Sequence, residues 1–339
     1  MRREGKQLRQ MVVPLIVGGA AIAALDLARR VFRHAQLFSP SPNPARSWNP
    51  ADYGVSPEAI EEHWFETPDG ELLYGWYCRS PRPVASAVFC HGNTGNLTTS
   101  ADVIPHLLAA GMNVLFFDYR GFGKSSGRPS INGIVADGVT AARFHDTIRP
   151  QSLPSILYGY SLGGAVAAQV IKRHPFDGLI LQSTFTSLPK LARVIFPRFP
   201  MHLFTGDLFD TLSVIRRLTV PLLVVHGGAD EVVPCSMAHE LYDACNAVKN
   251  IQIVHEGLHK DLFHRDFDSV VWAVNRFATA LPNGSRHLPL EAEHLSDVLI
   301  HAALRSIRRL IRRISPAPQT AVIASAAVSN ASRRQIRSR

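Results

Sequence analysis

Residues 159–164 read Gly-Tyr-Ser-Leu-Gly-Gly and directly follow the short apolar run 156–158. A serine with glycine two residues away on each side is typical of a tight turn between a buried strand and a helix. Such a turn strains the serine backbone and leaves no space for a side chain at either glycine. The stretch therefore predicts a strand, a sharp turn that exposes the hydroxyl of Ser161, and a helix whose N-terminus favours negative charge.

Similar apolar runs recur on both sides of this turn. The β-forming runs are 87–90, 114–117, 156–158, 179–181, 222–225 and 251–254, and stretches with helical spacing lie between them. Two earlier runs, 63–66 and 72–78, flank Pro68-Asp69-Gly70, which is typical of a hairpin turn. The pattern predicts an α/β fold with a mostly parallel sheet, helices on both faces and an antiparallel hairpin at the N-terminal edge.

The loops after the predicted strands carry side chains that could assist a serine nucleophile. In a parallel sheet these loops meet at one edge, and a serine hydroxyl needs a base that is itself oriented by a carboxylate. The run 222–225 leads into Asp230, and the run 251–254 leads into His259. We predict Ser161 as the nucleophile, His259 as the base and Asp230 as the acid.

Other residues remain alternatives for two of these roles. The alternatives for the acid are Glu231, Asp207 and Asp210. The alternatives for the base are His255, which we expect to point into the body from its strand end, and His264, which we expect on the following helix.

The loop at 91–96 reads His-Gly-Asn-Thr-Gly-Asn and follows the run 87–90. A glycine-bearing turn here leaves a backbone N–H free to converge with the N–H of Leu162, and two such donors form an oxyanion hole. We predict the N–H of Asn93 as the second donor. His91 is interpreted as a residue that orders this loop.

A glycine-rich loop follows the run 114–117. Its spacing matches neither a Walker loop nor a dinucleotide-binding loop, so it does not predict a phosphate site. We interpret Asp118 and Arg120 in this loop as a structural ion-pair network.

These loops together resemble those of the α/β-hydrolase superfamily, and the chain resembles its membrane-anchored α/β-hydrolase domain-containing serine hydrolases. The matching stretches are 91–96, 117–123 (Phe-Asp-Tyr-Arg-Gly-Phe-Gly), 159–164, 183–187 (Ser-Thr-Phe-Thr-Ser) and 228–234 (Gly-Ala-Asp-Glu-Val-Val-Pro). The resemblance implies an α/β-hydrolase fold over 62–281 with a short lid at about 185–218. It also implies Ser161, Asp230 and His259 as a catalytic triad, with no organic cofactor and no metal.

The N-terminal segments differ in composition from this domain. Four basic residues and one acidic residue lie within 1–10, and the apolar run 11–25 follows. Its helical length of about 22 Å is less than a bilayer core of about 30 Å. We interpret 1–34 as a membrane anchor, with a cleaved signal peptide and a buried helix as alternatives. The proline-rich segment 35–61 is predicted to be a stiff linker with no core-forming pattern.

The C-terminal segments are strongly basic. Residues 282–315 predict a basic amphipathic helix on an anionic membrane surface, or one docked on its own domain, and 316–339 predict a disordered basic tail. The net charge is +9, yet residues 301–339 hold nine arginines and no acidic residue, which leaves 27 basic and 27 acidic residues in 1–300. The neutral body argues against a nucleic-acid groove in the folded core.

The sequence thus predicts a membrane-associated serine hydrolase of carboxylic esters or thioesters, acting through an acyl-enzyme. The apolar, proline-rich lid suits a small-molecule or lipid-like ester with an apolar acyl group. Three alternatives remain: a serine aminopeptidase or small-peptide hydrolase, an acyltransferase, and a non-catalytic membrane adaptor. The four cysteines show no metal-ligand spacing, so no metal site is predicted.

Overall fold

An eight-stranded sheet lies at the centre of the chain in this computed structural model, which describes residues 37–198 and 209–282. Its strands are β1 (Ile60–Glu66), β2 (Leu72–Cys78), β3 (Ala85–Cys90), β4 (Met112–Phe117), β5 (Ser155–Tyr160), β6 (Gly178–Gln182), β7 (Leu222–Gly227) and β8 (Lys249–Val254). Their order across the sheet is β8-β7-β6-β5-β3-β4-β2-β1. The β1–β2 and β2–β4 pairs are antiparallel and the remaining pairs are parallel. The predicted fold class, including the N-terminal hairpin, is confirmed.

Helices cover both faces of the sheet. They are α1 (Ile104–Ala109), α2 (Ile131–Ile148), α3 (Leu162–Val170), α4 (Leu188–Ile195), α5 (Thr211–Ile215), α6 (Cys235–Ala244), α7 (Leu262–Arg265) and α8 (Phe267–Ala280). One core cluster packs α2 to α6 on one face, and a second packs α1, α7 and α8 on the other. Within β4, Leu115 and Phe117 join the first cluster and Val114 and Phe116 join the second, because side chains alternate along a strand. Double-sided burial explains the nearly continuous apolar runs in the sequence.

The segment before the hairpin packs against the domain, so the prediction of a linker without core contacts is wrong for residues 37–61. Phe38, Tyr53 and Val55 are buried in the two core clusters. The two-residue strand Ser39–Pro40 pairs in parallel with Thr94–Gly95. Scattered apolar residues, backbone hydrogen bonds and side-chain hydrogen bonds such as that from Asn96 to the carbonyl of Asn43 attach this segment, and none of these contacts produces a periodic sequence pattern.

Several predicted segments lie outside the described residues. They are the anchor at 1–34, residues 283–315 of the amphipathic helix, the tail at 316–339, and residues 199–208 of the lid. Within residues 37–198 and 209–282, no helix has the length and apolar character needed to cross a bilayer.

Candidate active site

Ser161 lies on the sharp turn between β5 and α3. Its φ of 54° and ψ of −120° place it in a conformation that non-glycine residues rarely adopt. The neighbouring strand holds the turn, since the Ser161 N–H donates to the carbonyl of Gln182 at 2.9 Å. The Thr184 hydroxyl donates to the carbonyl of Ser161 at 2.7 Å. These contacts fix the strained serine on the carboxyl edge of the sheet.

Glycine is required by space on both sides of Ser161. A Cβ at Gly159 would lie 2.4 Å from the Cα of Gly164, and a Cβ at Gly163 would lie 1.9 Å from the carbonyl oxygen of Cys90. Neither contact is sterically possible without movement of the backbone. The sequence-based explanation of the glycine spacing is therefore confirmed.

Ser161, His259 and Asp230 form a continuous hydrogen-bonded series. The Nε2 atom of His259 lies 3.0 Å from the Oγ of Ser161, and its Nδ1 lies 2.9 Å and 3.1 Å from the two carboxylate oxygens of Asp230. Because a carboxylate accepts hydrogen bonds, Nδ1 carries the proton and Nε2 is free to accept the serine proton. All three side chains lie at the carboxyl ends of parallel strands, after β5, β7 and β8, where the sequence predicted them.

The carboxylate of Asp230 accepts hydrogen bonds from the backbone as well. Its Oδ1 receives the N–H groups of Val232 and Val233 at 2.9 Å and 2.8 Å, and its Oδ2 lies 3.2 Å from the Nε2 of His226. Burial alone would raise the pKa of Asp230, but hydrogen bonds from His226 and His259 outweigh it and hold this pKa well below its usual range. The carboxylate is therefore ionised at neutral pH.

The alternative acids take other positions. Glu231 is exposed and accepts the backbone N–H of His259 at 3.1 Å. Asp210 caps the N-terminus of α5 by accepting the N–H of Ser213 at 3.1 Å. Asp207 lies outside the described residues.

The alternative bases are both exposed. His255 follows the end of β8 and faces solvent, so the expectation that it points into the body is wrong. The strand ends at Val254, and the alternation that would turn the next side chain inward stops there. His264 lies on α7 as predicted and lines the cavity described below.

The two predicted oxyanion donors lie in the same cavity wall as Ser161 and His259. Leu162 is the first residue of α3, so its N–H has no partner within the helix. Asn93 lies in the loop after β3, and its carbonyl accepts the N–H of Ser39 at 2.9 Å. His91 is buried in this loop, and its Nδ1 donates to the carbonyl of Gly92 at 2.7 Å.

The cavity beside Ser161 has a volume of about 620 Å³. The apolar part of its lining comes mainly from the segment around α4: Phe185, Leu188, Leu191, Ala192, Ile195 and Phe196. The lining also includes polar side chains, namely Thr94, Thr99, Ser100, Asp102, Lys260 and His264. A substrate that carries both an apolar and a polar group fits this lining.

The predicted network around Arg120 is confirmed for that residue and is wrong for Asp118. The Arg120 guanidinium lies 2.7 Å from both Asp69 and Asp137, which ties the hairpin turn to α2. Asp118 instead accepts the N–H of Leu97 at 2.5 Å and lies 3.9 Å from the Nε2 of His91.

Two residues at the site had no role in the sequence-based prediction. His226 contacts Asp230 from the end of β7, and its position four residues before the acid in the same loop is the signal that could have revealed it. Leu37 lines the cavity, although nothing in its local sequence indicates this. Within the described ranges no group of three or more His, Cys, Asp or Glu side chains could hold a metal ion.

The arrangement pairs a strained hydroxyl with an oriented imidazole and places Asn93 and Leu162, the residues predicted to supply the oxyanion donors, in the wall of the same cavity. These are the parts that acyl transfer through a serine requires.

Comparisons with known proteins agree with this geometry. A family model described as "Serine aminopeptidase, S33" matches residues 81–215 and 208–266, which is more than half of the chain. Protein YfhR of Escherichia coli (strain K12) is 33% identical over 223 residues, which cover 62% of this chain and 77% of YfhR. The α/β hydrolase domain-containing protein WAV2 of Arabidopsis thaliana is 29% identical and covers 66% of this chain and 80% of its own.

Among solved structures, an esterase of Pyrococcus furiosus superposes with a TM-score of 0.58 at 20% identity. The match covers 73% of this chain and 98% of the esterase. At this level of identity the likeness shows a common fold.

Proposed function

This chain belongs to the serine aminopeptidase S33 family of the α/β-hydrolase superfamily and is a hydrolase of the serine type, and we propose that it cleaves carboxylic esters or thioesters with an apolar acyl group. The observation that carries the proposal is the unbroken series from Ser161 through His259 to Asp230 at the wall of a largely apolar cavity. No step of the proposed reaction uses a cofactor.

The proposed reaction has two halves. The Ser161 hydroxyl attacks the substrate carbonyl while Nε2 of His259 takes its proton, and the N–H groups of Asn93 and Leu162 stabilise the oxyanion. His259 then protonates the leaving alcohol or thiol, and an acyl-enzyme remains on Ser161. Water, deprotonated by His259, releases the carboxylic acid and restores the serine. Asp230 keeps the imidazole oriented and stabilises its positive charge in both halves.

The cavity supports an apolar acyl group over a peptide. A peptidase that acts on a free N-terminus needs a carboxylate for the substrate ammonium. Among the described residues that line the cavity, Asp102 carries a carboxylate, and Arg46 pairs with it at 3.1 Å. The apolar side chains around α4 offer instead a surface for an alkyl chain.

We also propose that the enzyme works at a membrane. The proposal rests on the basic and apolar composition of 1–34 and the arginine-rich face within 282–315. Anionic lipid headgroups are the partners that these charges favour.

Labelling with a fluorophosphonate tests the serine chemistry. The full-length chain in its membrane fraction is treated with the probe, alongside Ser161→Ala and the matched control Ser100→Ala, whose serine lines the same cavity. We expect labelling of the wild type and of Ser100→Ala and none of Ser161→Ala. Competition by p-nitrophenyl esters of increasing chain length then sizes the acyl pocket. A folded wild-type chain that stays unlabelled would contradict the proposal.

A further inference from the structure

An apolar rim of exposed side chains lies along the cavity lining and next to it in the sequence. We define it as Val194, Ile195, Phe196, Val232 and Leu258, whose exposed fractions are 47%, 47%, 37%, 38% and 39%. Ile195, Phe196 and Val232 line the cavity, while Val194 and Leu258 directly precede the lining residues Ile195 and His259. Exposed apolar side chains grouped around a cavity mark a surface that contacts another apolar phase.

The chain enters the domain beside this cavity. Leu37, the first described residue, lines it. The backbone that follows is hydrogen-bonded to the loop at 91–96. Ser39 and Ser41 donate their N–H groups to the carbonyls of Asn93 and Gly95 at 2.9 Å and 2.8 Å. The side chain of Asn96 adds donation to the carbonyl of Ser41 at 3.0 Å. The entry point is therefore fixed to the wall of the cavity.

The segment before Leu37 includes the sequence-predicted anchor, whose apolar run ends at residue 25. The twelve residues from there to Leu37 span at most about 43 Å of extended chain. An anchor in the bilayer would therefore hold the cavity mouth within about that distance of the lipid surface. The exposed side chains of Arg193, Arg198 and Lys260 lie beside the apolar rim or the cavity and could reach lipid headgroups.

We propose that the apolar rim docks on the lipid bilayer, so that the cavity opens toward the membrane and receives the acyl chain of its substrate from the lipid phase. The docking follows from the rim and the entry point, and only the delivery of substrate rests on the proposed esterase function. The ester substrate is then a membrane lipid or a lipid-modified molecule.

Val248 supplies a matched control for the rim. It is 65% exposed and directly precedes β8, so it lies at the amino edge of the sheet, opposite the edge that carries the cavity. A bilayer that contacts the apolar rim does not reach this position. A substitution there changes exposed apolar surface without affecting docking.

Quenching by brominated lipid tests the docking without any need for catalysis. The full-length chain is bound to vesicles of phosphatidylcholine and phosphatidylglycerol with bromines on the acyl chains, as Val194→Trp and as Val248→Trp. The fluorescence that each variant adds to the wild-type signal is compared. We expect quenching at position 194 to exceed that at position 248 by roughly threefold or more, since interfacial side chains reach the acyl boundary.

Equal quenching at the two positions, or none at either, overturns the docking. Quenching is absent at both positions if a second copy or another segment of the chain covers the apolar rim.

Hydrolysis rates separate this inference from the proposed function. Val194→Glu is expected to lower hydrolysis of a long-chain ester embedded in vesicles by roughly tenfold, because a charge must leave water for the interface. The same variant should hydrolyse a dissolved short-chain ester as the wild type does, and Val248→Glu should match the wild type on both. One result would overturn the docking inference but not the proposed function. In that result the wild type cleaves the dissolved ester, and Val194→Glu and Val248→Glu hydrolyse the embedded ester at the same rate. A wild type that cleaves neither ester overturns the proposed function, and the quenching experiment still decides the docking.

Discussion

Two buried histidine–aspartate pairs lie at the carboxyl edge of the sheet, and they differ sharply in geometry. The Nδ1 of His259 is 2.9 Å from the carboxylate of Asp230, whereas the Nε2 of His91 is 3.9 Å from that of Asp118. Both pairs follow strands, and all four side chains are buried or nearly so. The same residue types in similar burial therefore give one hydrogen-bonded pair and one that is only adjacent.

The number of hydrogen-bond donors around each carboxylate explains the difference. Asp230 accepts from His259 and from two backbone N–H groups, and the Nε2 of His226 lies 3.2 Å away; together these groups hold its pKa below the usual range. At Asp118, Oδ2 has no hydrogen-bond partner within the described residues, and burial raises its pKa to about 7. Burial likewise lowers the pKa of His91 to about 4. Donors supplied to the carboxylate, and not burial itself, make the first pair able to assist proton transfer.

Replacing the histidines of the two pairs is expected to give the largest difference in kcat. His259→Ala is expected to lower kcat for a p-nitrophenyl ester by about 10⁶, as loss of a triad base does elsewhere. His91→Asn keeps an amide donor near the position of Nδ1, which donates to Gly92, and should lower kcat by less than about tenfold. Similar losses in the two variants would show that His91 takes part in the chemistry.

Replacing the carboxylates gives the next largest contrast. Asp230→Asn should lower kcat by about 10⁴, because an amide can hold the imidazole in the wrong tautomer and cannot stabilise its charge. Asp118→Asn should leave kcat within about threefold of the wild type, since its oxygen can still accept the N–H of Leu97. Steady-state kinetics measures kcat for both variants, after size-exclusion chromatography has verified that they are folded. A comparable loss of kcat in both variants contradicts the assignment of Asp230 as the acid.

The two pairs also differ in their effect on stability. The folded pKa of Asp118, about 7, lies above its usual 3.8, so the folded state holds a proton that the unfolded state loses, and stability falls as pH rises from 3.8 to 7. His91 acts in the opposite direction, because its folded pKa of about 4 lies below 6.5 and stability rises between those values. The two contributions partly cancel in the wild type.

Asp118→Asn removes one of these opposing contributions. Its free energy of unfolding, measured relative to the wild type by urea denaturation, should increase from acidic pH to about pH 8, by at most about 4 kcal/mol. A difference that stays constant over this range would show that Asp118 titrates as an ordinary exposed carboxyl.

His226 provides the smallest and most specific test. The Nε2 of His226 donates to the Val233 carbonyl at 2.9 Å and lies 3.2 Å from Asp230. His226→Leu removes this polar neighbour of the acid and should lower kcat by about tenfold, with the acid limb of the kcat/KM profile moved to higher pH. His226→Gln keeps an N–H donor near the same position and should restore both values toward the wild type. A pH profile unchanged in His226→Leu would limit His226 to packing.

The sequence was sufficient to predict the parts of the molecule that depend on local pattern. The apolar runs located the strands, and the glycines at 159 and 163 located the strained turn because steric contact leaves no other choice. Asp230 and His259 were predicted to lie beside Ser161 because parallel strands bring their following loops to one edge, and the structure places them there.

The parts that were missed depend on contacts between distant residues. Ser39–Pro40 pairs with Thr94–Gly95 through backbone groups that every sequence contains, so no pattern in 35–61 revealed the packing of this segment. The choice of Asp69 and Asp137 as partners of Arg120, in place of nearby Asp118, follows from how the hairpin and α2 meet in space. The solvent exposure of His255 depends on where β8 ends.

Trapping the covalent intermediate tests the central claim most directly. The full-length enzyme is mixed with a p-nitrophenyl ester and quenched in acid within the first turnovers, and the peptide that contains Ser161 is analysed by mass spectrometry. We expect this peptide to gain the mass of the acyl group on Ser161, and we expect no gain in Ser161→Ala. Release of p-nitrophenol with Ser161 unmodified, or with the acyl group on another residue, would contradict this expectation.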